Sequence, residues 1–131
     1  MNQEEPDVEW HALPGYDDVS EILHQKTSTG CTMVRCLTVK NFDDDGSYRC
    51  DILLELVHEY SDSHSVLVHF EQCHQLRLDD TYQICGLAFR DVSKRGWEAT
   101  RFEVFDYEES KISFFCNRIT LRKNTESGPR E

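Results

Sequence analysis

Three potential metal ligands, His69, Cys73 and His74, lie close together along the chain. Imidazole nitrogen and thiolate sulfur are ligands that zinc prefers in proteins. His69 and Cys73 have the spacing of one helix face, but the surrounding residues alternate as in a strand, where this spacing separates two side chains by about 13 Å. Only a bend in the chain would bring the three together. The pattern therefore favours ordinary polar and core positions, with a metal site as the alternative.

Adjacent carboxylates occur at Asp17 and Asp18, at Asp79 and Asp80, and at Glu108 and Glu109. Acid–base catalysis needs two carboxylates in different environments that face each other across a cleft. Neighbouring residues on a polar turn are instead two solvated charges. The sequence also lacks the GxxxxGKS/T and GxGxxG phosphate-binding loops, the HExxH zinc motif and the GxSxG nucleophile motif. We therefore expect neither an enzyme activity nor a cofactor.

The chain of 131 residues has a formal net charge of -11, and its acidic residues are unevenly placed. Residues 1–25 contain seven acidic residues and no lysine or arginine. Such a surface repels nucleic acids and anionic membranes. It attracts a basic protein, in an association that weakens as salt screens the charges. The charge is consistent with a basic protein partner, for which Glu4, Glu5, Asp7 and Glu9 would form a further acidic arm. In the alternative interpretation the acidity only keeps the protein soluble.

Aromatic side chains and acidic turns coincide in the C-terminal half of the chain. Six aromatic residues crowd the last two predicted strands, on both faces: Trp97, Phe102, Phe105, Tyr107, Phe114 and Phe115. Aromatic anchors surrounded by charged residues are typical of protein-binding surfaces. The predicted partner-binding residues are Asp79, Asp80, Trp97, Asp106, Tyr107, Glu108 and Glu109. In the alternative interpretation the aromatic residues form a core, and a packed N-terminal helix covers the second face.

From residue 31 onward apolar and polar residues alternate, which predicts strands. The clearest strand covers residues 48–60, with Tyr48, Ile52 and Leu56 on the face expected to be buried. Further strands are expected over residues 31–40, 66–70, 76–78, 82–89, 97–107 and 112–121. Short polar turns join them, so the expected fold is mainly β: an antiparallel β-sandwich or a partly open barrel with one short N-terminal helix.

The sequence predicts one domain between two polar ends. Residues 1–16 lack periodicity and form an acidic extended arm, residues 17–122 form a single mainly-β domain, and residues 123–131 form a flexible polar tail. The helix carries Val19 and Ile22 on one face and begins near Asp17 or Asp18. Because the N-terminus is acidic where a signal peptide is basic, we expect a cytoplasmic location. The six cysteines contain no CxxC pair and are expected to be reduced core residues.

Part of the sequence resembles a known group of proteins. The resemblance rests on residues 66–78, where an apolar strand, a short polar bend and an L-x-L pattern follow one another, and on residues 96–98, 104–108 and 112–116. Over about residues 60–121 the chain is similar to small bacterial β-sandwich families that include immunity proteins of polymorphic toxin systems. This resemblance implies a cytoplasmic protein that neutralises a cognate toxin by covering its active site. Such proteins are often acidic because many of their targets are basic nucleases.

Together, these observations favour a non-enzymatic binding protein that neutralises or sequesters a basic protein, such as a toxin or nuclease. A small-molecule or metal-binding β-barrel, with His69, Cys73 and His74 as its site, is one alternative. A structural subunit of a homo-oligomer, associated through the aromatic last strands, is another. The oligomeric state is left open at this point.

Overall fold

Two antiparallel sheets of five strands pack face to face in the computed structural model of the protein. The structure describes residues 5–24, 31–44, 47–58, 61–79, 83–85, 87–106 and 112–124. The strands are β1 (Asp7–Val8), β2 (Cys31–Asp44), β3 (Ser47–His58), β4 (Ser61–Glu71), β5 (His74–Leu78), β6 (Gln83–Cys85), β7 (Leu87–Asp91), β8 (Phe102–Asp106), β9 (Ile112–Cys116) and β10 (Arg118–Asn124). One α-helix, α1 (Tyr16–His24), and two 3₁₀ turns (Trp10–Ala12 and Ser93–Arg95) complete the described elements.

The strand order confirms the predicted sandwich. Sheet A has the order β1-β7-β8-β9-β5, and sheet B has the order β10-β4-β3-β2-β6. The chain passes from one sheet to the other after β1, β4, β5, β6 and β9, and the two sheets do not close into a barrel. Every strand pair is antiparallel, and short connections join the consecutive pairs β2–β3, β3–β4, β7–β8 and β8–β9.

Alternating apolar residues from both sheets fill the space between them. The fully buried members include Ile52 and Leu54 of β3, Phe70 of β4 and Phe114 of β9. The rings of Phe70 and Phe114 meet edge to face, with their centroids 4.8 Å apart, and so join the two sheets at the centre of the core.

One residue of the predicted buried face is not buried. Tyr48 lies on the same side of β3 as Ile52, yet it is 83% exposed. The pairing of β3 with β4 begins only at Ile52, whereas β3 and β2 remain paired as far as Ser47 and Asp44. The β2–β3 hairpin therefore extends past the rest of sheet B, and nothing among the described residues covers Tyr48.

Three predicted strands differ from the observed ones because bends redirect the chain. The strand predicted over residues 97–107 begins only at Phe102, since Gly96 and Ala99 have left-handed backbone conformations. The strand predicted over 112–121 divides at Asn117 into β9 of sheet A and β10 of sheet B. The strand predicted over 82–89 similarly divides into β6 and β7.

The N-terminal segment packs against both sheets. Strand β1 pairs with β7, and Trp10 packs edge to face on Phe89, with 4.9 Å between the ring centroids. The backbone N–H of Leu121 donates to the carbonyl of Pro14 over 2.8 Å, so the segment also covers the outer edge of β10. Helix α1 follows, buries Val19 and contacts β10 and β4. The described part of the predicted extended arm thus closes one side of the sandwich.

Candidate partner-binding surface

The residues predicted to bind a partner occupy different environments. Trp97 is 43% exposed, and Asp79 is exposed at the end of β5, whereas Asp106 is buried. Asp106 lies on the inner face of β8, in line with Val104, because the alternation continues to the end of that strand. Asp80, Tyr107, Glu108 and Glu109 lie outside the described residues. The binding role of all seven residues stays a prediction.

Trp97 belongs to an aromatic cluster on the outer face of sheet A. Its ring meets that of Phe115 edge to face, with centroids 5.3 Å apart. The imidazole of His74 stacks on the same Phe115 ring, with centroids 5.6 Å apart. The guanidinium of Arg95 lies 5.0 Å from the Trp97 ring centroid and 5.8 Å from that of Phe115. A loop residue, two strands and a 3₁₀ turn therefore meet in one cluster.

Ion pairing holds the cationic part of this cluster in place. Arg95 donates two hydrogen bonds, of 2.7 and 2.8 Å, to the two carboxylate oxygens of Glu5. The hydrogen bond from Arg95 lowers the pKa of Glu5 below its usual value. This planar, two-bond geometry fixes the guanidinium more firmly than a single contact would. The N-terminal segment thereby positions a cation beside Trp97.

The loop that carries Trp97 is also tied to the sheet. The hydroxyl oxygen of Thr100, a buried residue of this loop, lies 2.9 Å from Nε2 of His74. Backbone hydrogen bonds join the N–H of Val92 to the carbonyl of Arg101, and the N–H of Arg101 to the carbonyl of Cys116. Because both ends of the loop are fixed, Trp97 is presented in a set position. Such preorganisation reduces the entropy that is lost on binding.

A second arginine and a second aromatic ring extend the cluster across the sheet. Arg90 of β7 forms a 3.0 Å ion pair with Glu103 and lies 4.6 Å from the ring centroid of Phe105. In the register of sheet A, Arg90 is opposite Glu103, and Glu103 is opposite Phe115. We define the aromatic face as the outer surface formed by His74, Arg90, Arg95, Trp97, Phe105 and Phe115.

An acidic border lies beside the aromatic face. Asp7 of β1 is exposed and pairs in register with Arg90, and Glu9, the residue after β1, is also exposed. Asp17 and Asp18 are exposed in the first turn of α1, where the helix dipole favours negative charge. Together with the lack of lysine and arginine in residues 1–25, this placement makes the N-terminal side of the sandwich strongly acidic.

The structure divides the aromatic residues of the last strands between the core and the outer face of sheet A. Phe114 is buried between the sheets, whereas Phe105 and Phe115 lie on the outer face with Trp97. The alternative in which the N-terminal helix covers that outer face is wrong, because α1 contacts β10 and β4 of sheet B. The alternation of residues along the strand is sufficient to predict that Phe115 lies on the outer face. The contact between Arg95 and Glu5 joins distant parts of the sequence and is visible only in the folded chain.

The potential metal ligands separate in the structure. His69 lies on sheet B, where its Nε2 is 3.0 Å from Asp51, whereas His74 lies on sheet A against Phe115. Cys73 is buried, and its thiol donates to the carbonyl of Phe70. Within the described part of the chain, no three histidine, cysteine or acidic side chains are grouped in a way that could hold a metal ion.

The outer face of sheet B contains a polar network that the sequence did not reveal. Asp51 is 4% exposed and accepts two 2.9 Å hydrogen bonds from Arg49. It also lies 3.0 Å from Nε2 of His69 and accepts a 3.2 Å hydrogen bond from the backbone N–H of Gln72. Burial acts to raise the pKa of Asp51, but these hydrogen bonds outweigh it and lower the pKa to about 2. Asp51 therefore stabilises the fold as a buried anion.

The described cysteines are free thiols. Cys36 is exposed and Cys50 is half-buried, whereas Cys73 and Cys116 are buried. Burial raises the pKa of the Cys73 thiol to about 12 and also raises that of Cys116. The two buried thiols therefore remain protonated and unreactive near neutral pH. The side chains of Cys31 and Cys85 lie outside the described set.

Comparisons with known proteins identify the family of the chain. No curated protein and no solved structure matches the chain. No helix of the described part of the chain is long and apolar enough to cross a membrane. The sequence model of one family, described as immunity protein PIM8, matches residues 14–122. The matched segment begins at Pro14, whose carbonyl bonds the outer edge of β10, and ends within β10. Because the match spans most of the chain, the chain belongs to the immunity protein PIM8 family.

Proposed function

We propose that this protein neutralises one cognate toxin by binding it, without catalysis and in the cytoplasm. The family match over residues 14–122 is the observation that carries the proposal, since an immunity protein implies a toxin partner. An antiparallel sandwich with a rigid outer surface suits steric occlusion of a toxin's active site. Binding alone would suffice, so the described residues need not supply any catalytic group.

The aromatic face is the surface that best fits toxin binding. Tryptophan and arginine are the residue types that contribute most to binding at protein interfaces, and both are present here in fixed positions. Trp97 is 43% exposed although its edge already contacts Phe115, so a partner would bury the remainder. Arg90 and Arg95 are paired with carboxylates, which keeps the two cations compatible with burial under a partner.

The charge of the chain supports a basic partner. The net charge is -11, and Asp7 and Glu9 lie in or next to β1, which pairs with β7 at the border of the aromatic face, while residues 1–25 contain no lysine or arginine. Charged groups at the rim of an interface act mainly by accelerating encounter, whereas the central aromatic residues determine dissociation. We therefore assign rapid recognition to the acidic border and affinity to the aromatic face.

Affinity capture from host lysate tests the proposal directly. The immobilised chain should retain one near-stoichiometric basic protein at about 50 mM salt and less of it at about 500 mM salt, because salt screens the charges of the rim. The retained protein, once released, should be toxic to cells that lack the chain and harmless to cells that express it. Retention of no protein at either salt concentration, or of a protein whose activity the chain leaves unchanged, would contradict the proposal.

A further inference from the structure

Strand β2 has a long open edge in sheet B. On one side β2 pairs with β3 from Met33 to Asp44. On the other side β6 pairs only with Cys31, Thr32 and Met33. Residues 34–44 therefore have no strand on that side among the described segments. Their outward N–H and C=O groups form a template on which another strand can pair.

The comparable edges of the sandwich are covered or short. The outer edge of β10 receives the carbonyl of Pro14, and the edge of β7 is covered by β1. At the other edge of sheet A, β5 has only five residues and an irregular register with β9. The β2 edge is therefore the long one in the described structure, and its register with β3 is regular from Cys36 to Asp44, after an irregularity between Val34 and Cys36.

The side chains of this edge are unusually apolar for solvent exposure. Val39 and Phe42 are each 40% exposed, and they lie on opposite faces of β2. Between residues 36 and 42 the only charged side chain is Lys40, which is opposite Asp51 of β3. A second strand beside β2 would cover part of both apolar side chains.

We propose that this edge pairs with the same edge of a second copy of the chain, in antiparallel orientation around a two-fold axis at Val39. In this register Val39 meets its own counterpart, and Cys36 lies opposite Phe42 of the second copy. Arg35, in the irregularity between Val34 and Cys36, then lies at the end of the paired segment that carries Asp43 of the second copy, so opposite charges meet at each end. Lys40 lies opposite Thr38 of the second copy rather than opposite another cation. The two copies of sheet B would form one continuous sheet.

The placement of charge in the molecule is compatible with this dimer. The acidic N-terminal segment lies beside β10, at the other end of sheet B from β2 and β6. The most strongly acidic parts of the two copies are therefore far from the two-fold axis. The aromatic face belongs to sheet A and stays accessible in the dimer, so each copy could still bind a toxin.

Sedimentation of the purified chain tests the proposal. The wild-type chain should sediment at twice the chain mass, whereas Val39→Lys should sediment as a monomer, because lysine at the centre of an edge strand opposes pairing. Tyr48→Lys is the matched control, since Tyr48 is 83% exposed on the same hairpin but lies on β3, away from the open edge. This control should remain dimeric. A monomeric wild-type chain, or a Val39→Lys dimer, would overturn the proposal.

Cross-linking tests the register independently of any loss of folding. Cys36 is an exposed free thiol, so Phe42→Cys should form an interchain disulfide with Cys36 of the second copy under mild oxidation. Tyr48→Cys should not form a specific interchain disulfide. A cross-link in Phe42→Cys that maps to Cys36 by mass spectrometry would support the proposed pairing. Equal cross-linking of the two variants, or none in Phe42→Cys, would contradict it.

Discussion

Asp51 shows how a single residue can be both buried and ionised in this protein. Its carboxylate receives hydrogen bonds from Arg49 and from the N–H of Gln72 and contacts His69, so its negative charge is satisfied within the fold. Arg49 also reaches Glu71 at 3.4 Å, which links β3 to the end of β4. The network therefore fastens the extended β2–β3 hairpin to the rest of sheet B.

The low pKa of Asp51 makes stability depend on pH. Because its pKa falls from the ordinary 3.8 to about 2 on folding, the ionised group stabilises the folded state above about pH 4. This contribution, on the order of 2 kcal/mol, is lost as the pH falls from about 4 through 2. Chemical denaturation at a series of pH values should show that Asp51→Asn is less stable than wild type at neutral pH. The difference should shrink below pH 4, and a difference that is constant with pH would contradict this role.

At the scale of elements, one tight contact joins the N-terminal segment to sheet B. Gly15 has a φ of +90°, and a Cβ at this position would overlap the backbone carbonyl of Leu121. Only glycine allows the chain to turn from Pro14 into α1 so close to β10. The covering of the β10 edge and the position of Val19 in the core both depend on this turn.

Substitution of this glycine tests the contact. Gly15→Ala should lower the free energy of unfolding by at least about 2 kcal/mol, because backbone must move and the left-handed conformation is also strained. Gly96→Ala is the matched control, with a φ of +77° and no atom within 4 Å of the added Cβ. It should show only the conformational penalty of about 1 kcal/mol. Equal losses for the two variants in urea denaturation would mean that the contact with Leu121 has no effect.

The elements also show what could be predicted from the sequence. Alternation was sufficient to identify β3, residues 66–70 of β4 and the sandwich, because their inner residues form a regular apolar face. It missed residues 61–65 of β4, whose polar composition predicts a turn. It failed at Asn117, where the same apolar pattern continues while the chain passes from sheet A to sheet B. Tyr48 is exposed for a similar reason, since the length of the neighbouring strand decides its burial and local sequence does not encode that length.

The candidate site was predictable in part. Trp97 was identified by its residue type and its turn, and the structure places it at the surface. Arg95 is only two residues away along the chain, but Phe115, Glu5 and His74 come from distant segments, so only the folded chain brings the cluster together. Asp106 was expected at the rim because the sequence around it is polar, but the strand periodicity of β8 directs it inward.

At the scale of the whole molecule, charge and aromatic residues are separated in a way that suits one binding direction. The acidic N-terminal segment borders sheet A at β1, and the aromatic face occupies the outer surface of the same sheet. A basic partner attracted by the acidic N-terminal segment would meet the aromatic face. The open edge of β2 lies in the other sheet, which leaves self-association and toxin binding on separate surfaces.

The affinity of the cognate toxin for two variants of the chain, Trp97→Ala and Tyr48→Ala, tests the central claim most directly. Trp97→Ala should raise the dissociation constant about 30-fold, because a central aromatic anchor contributes about 2 kcal/mol to an interface. Tyr48→Ala removes an even more exposed aromatic ring outside the aromatic face and should change the affinity less than about threefold. Titration calorimetry with both folded variants would measure the difference. Wild-type affinity in Trp97→Ala, or an equal loss in Tyr48→Ala, would contradict toxin binding through the aromatic face.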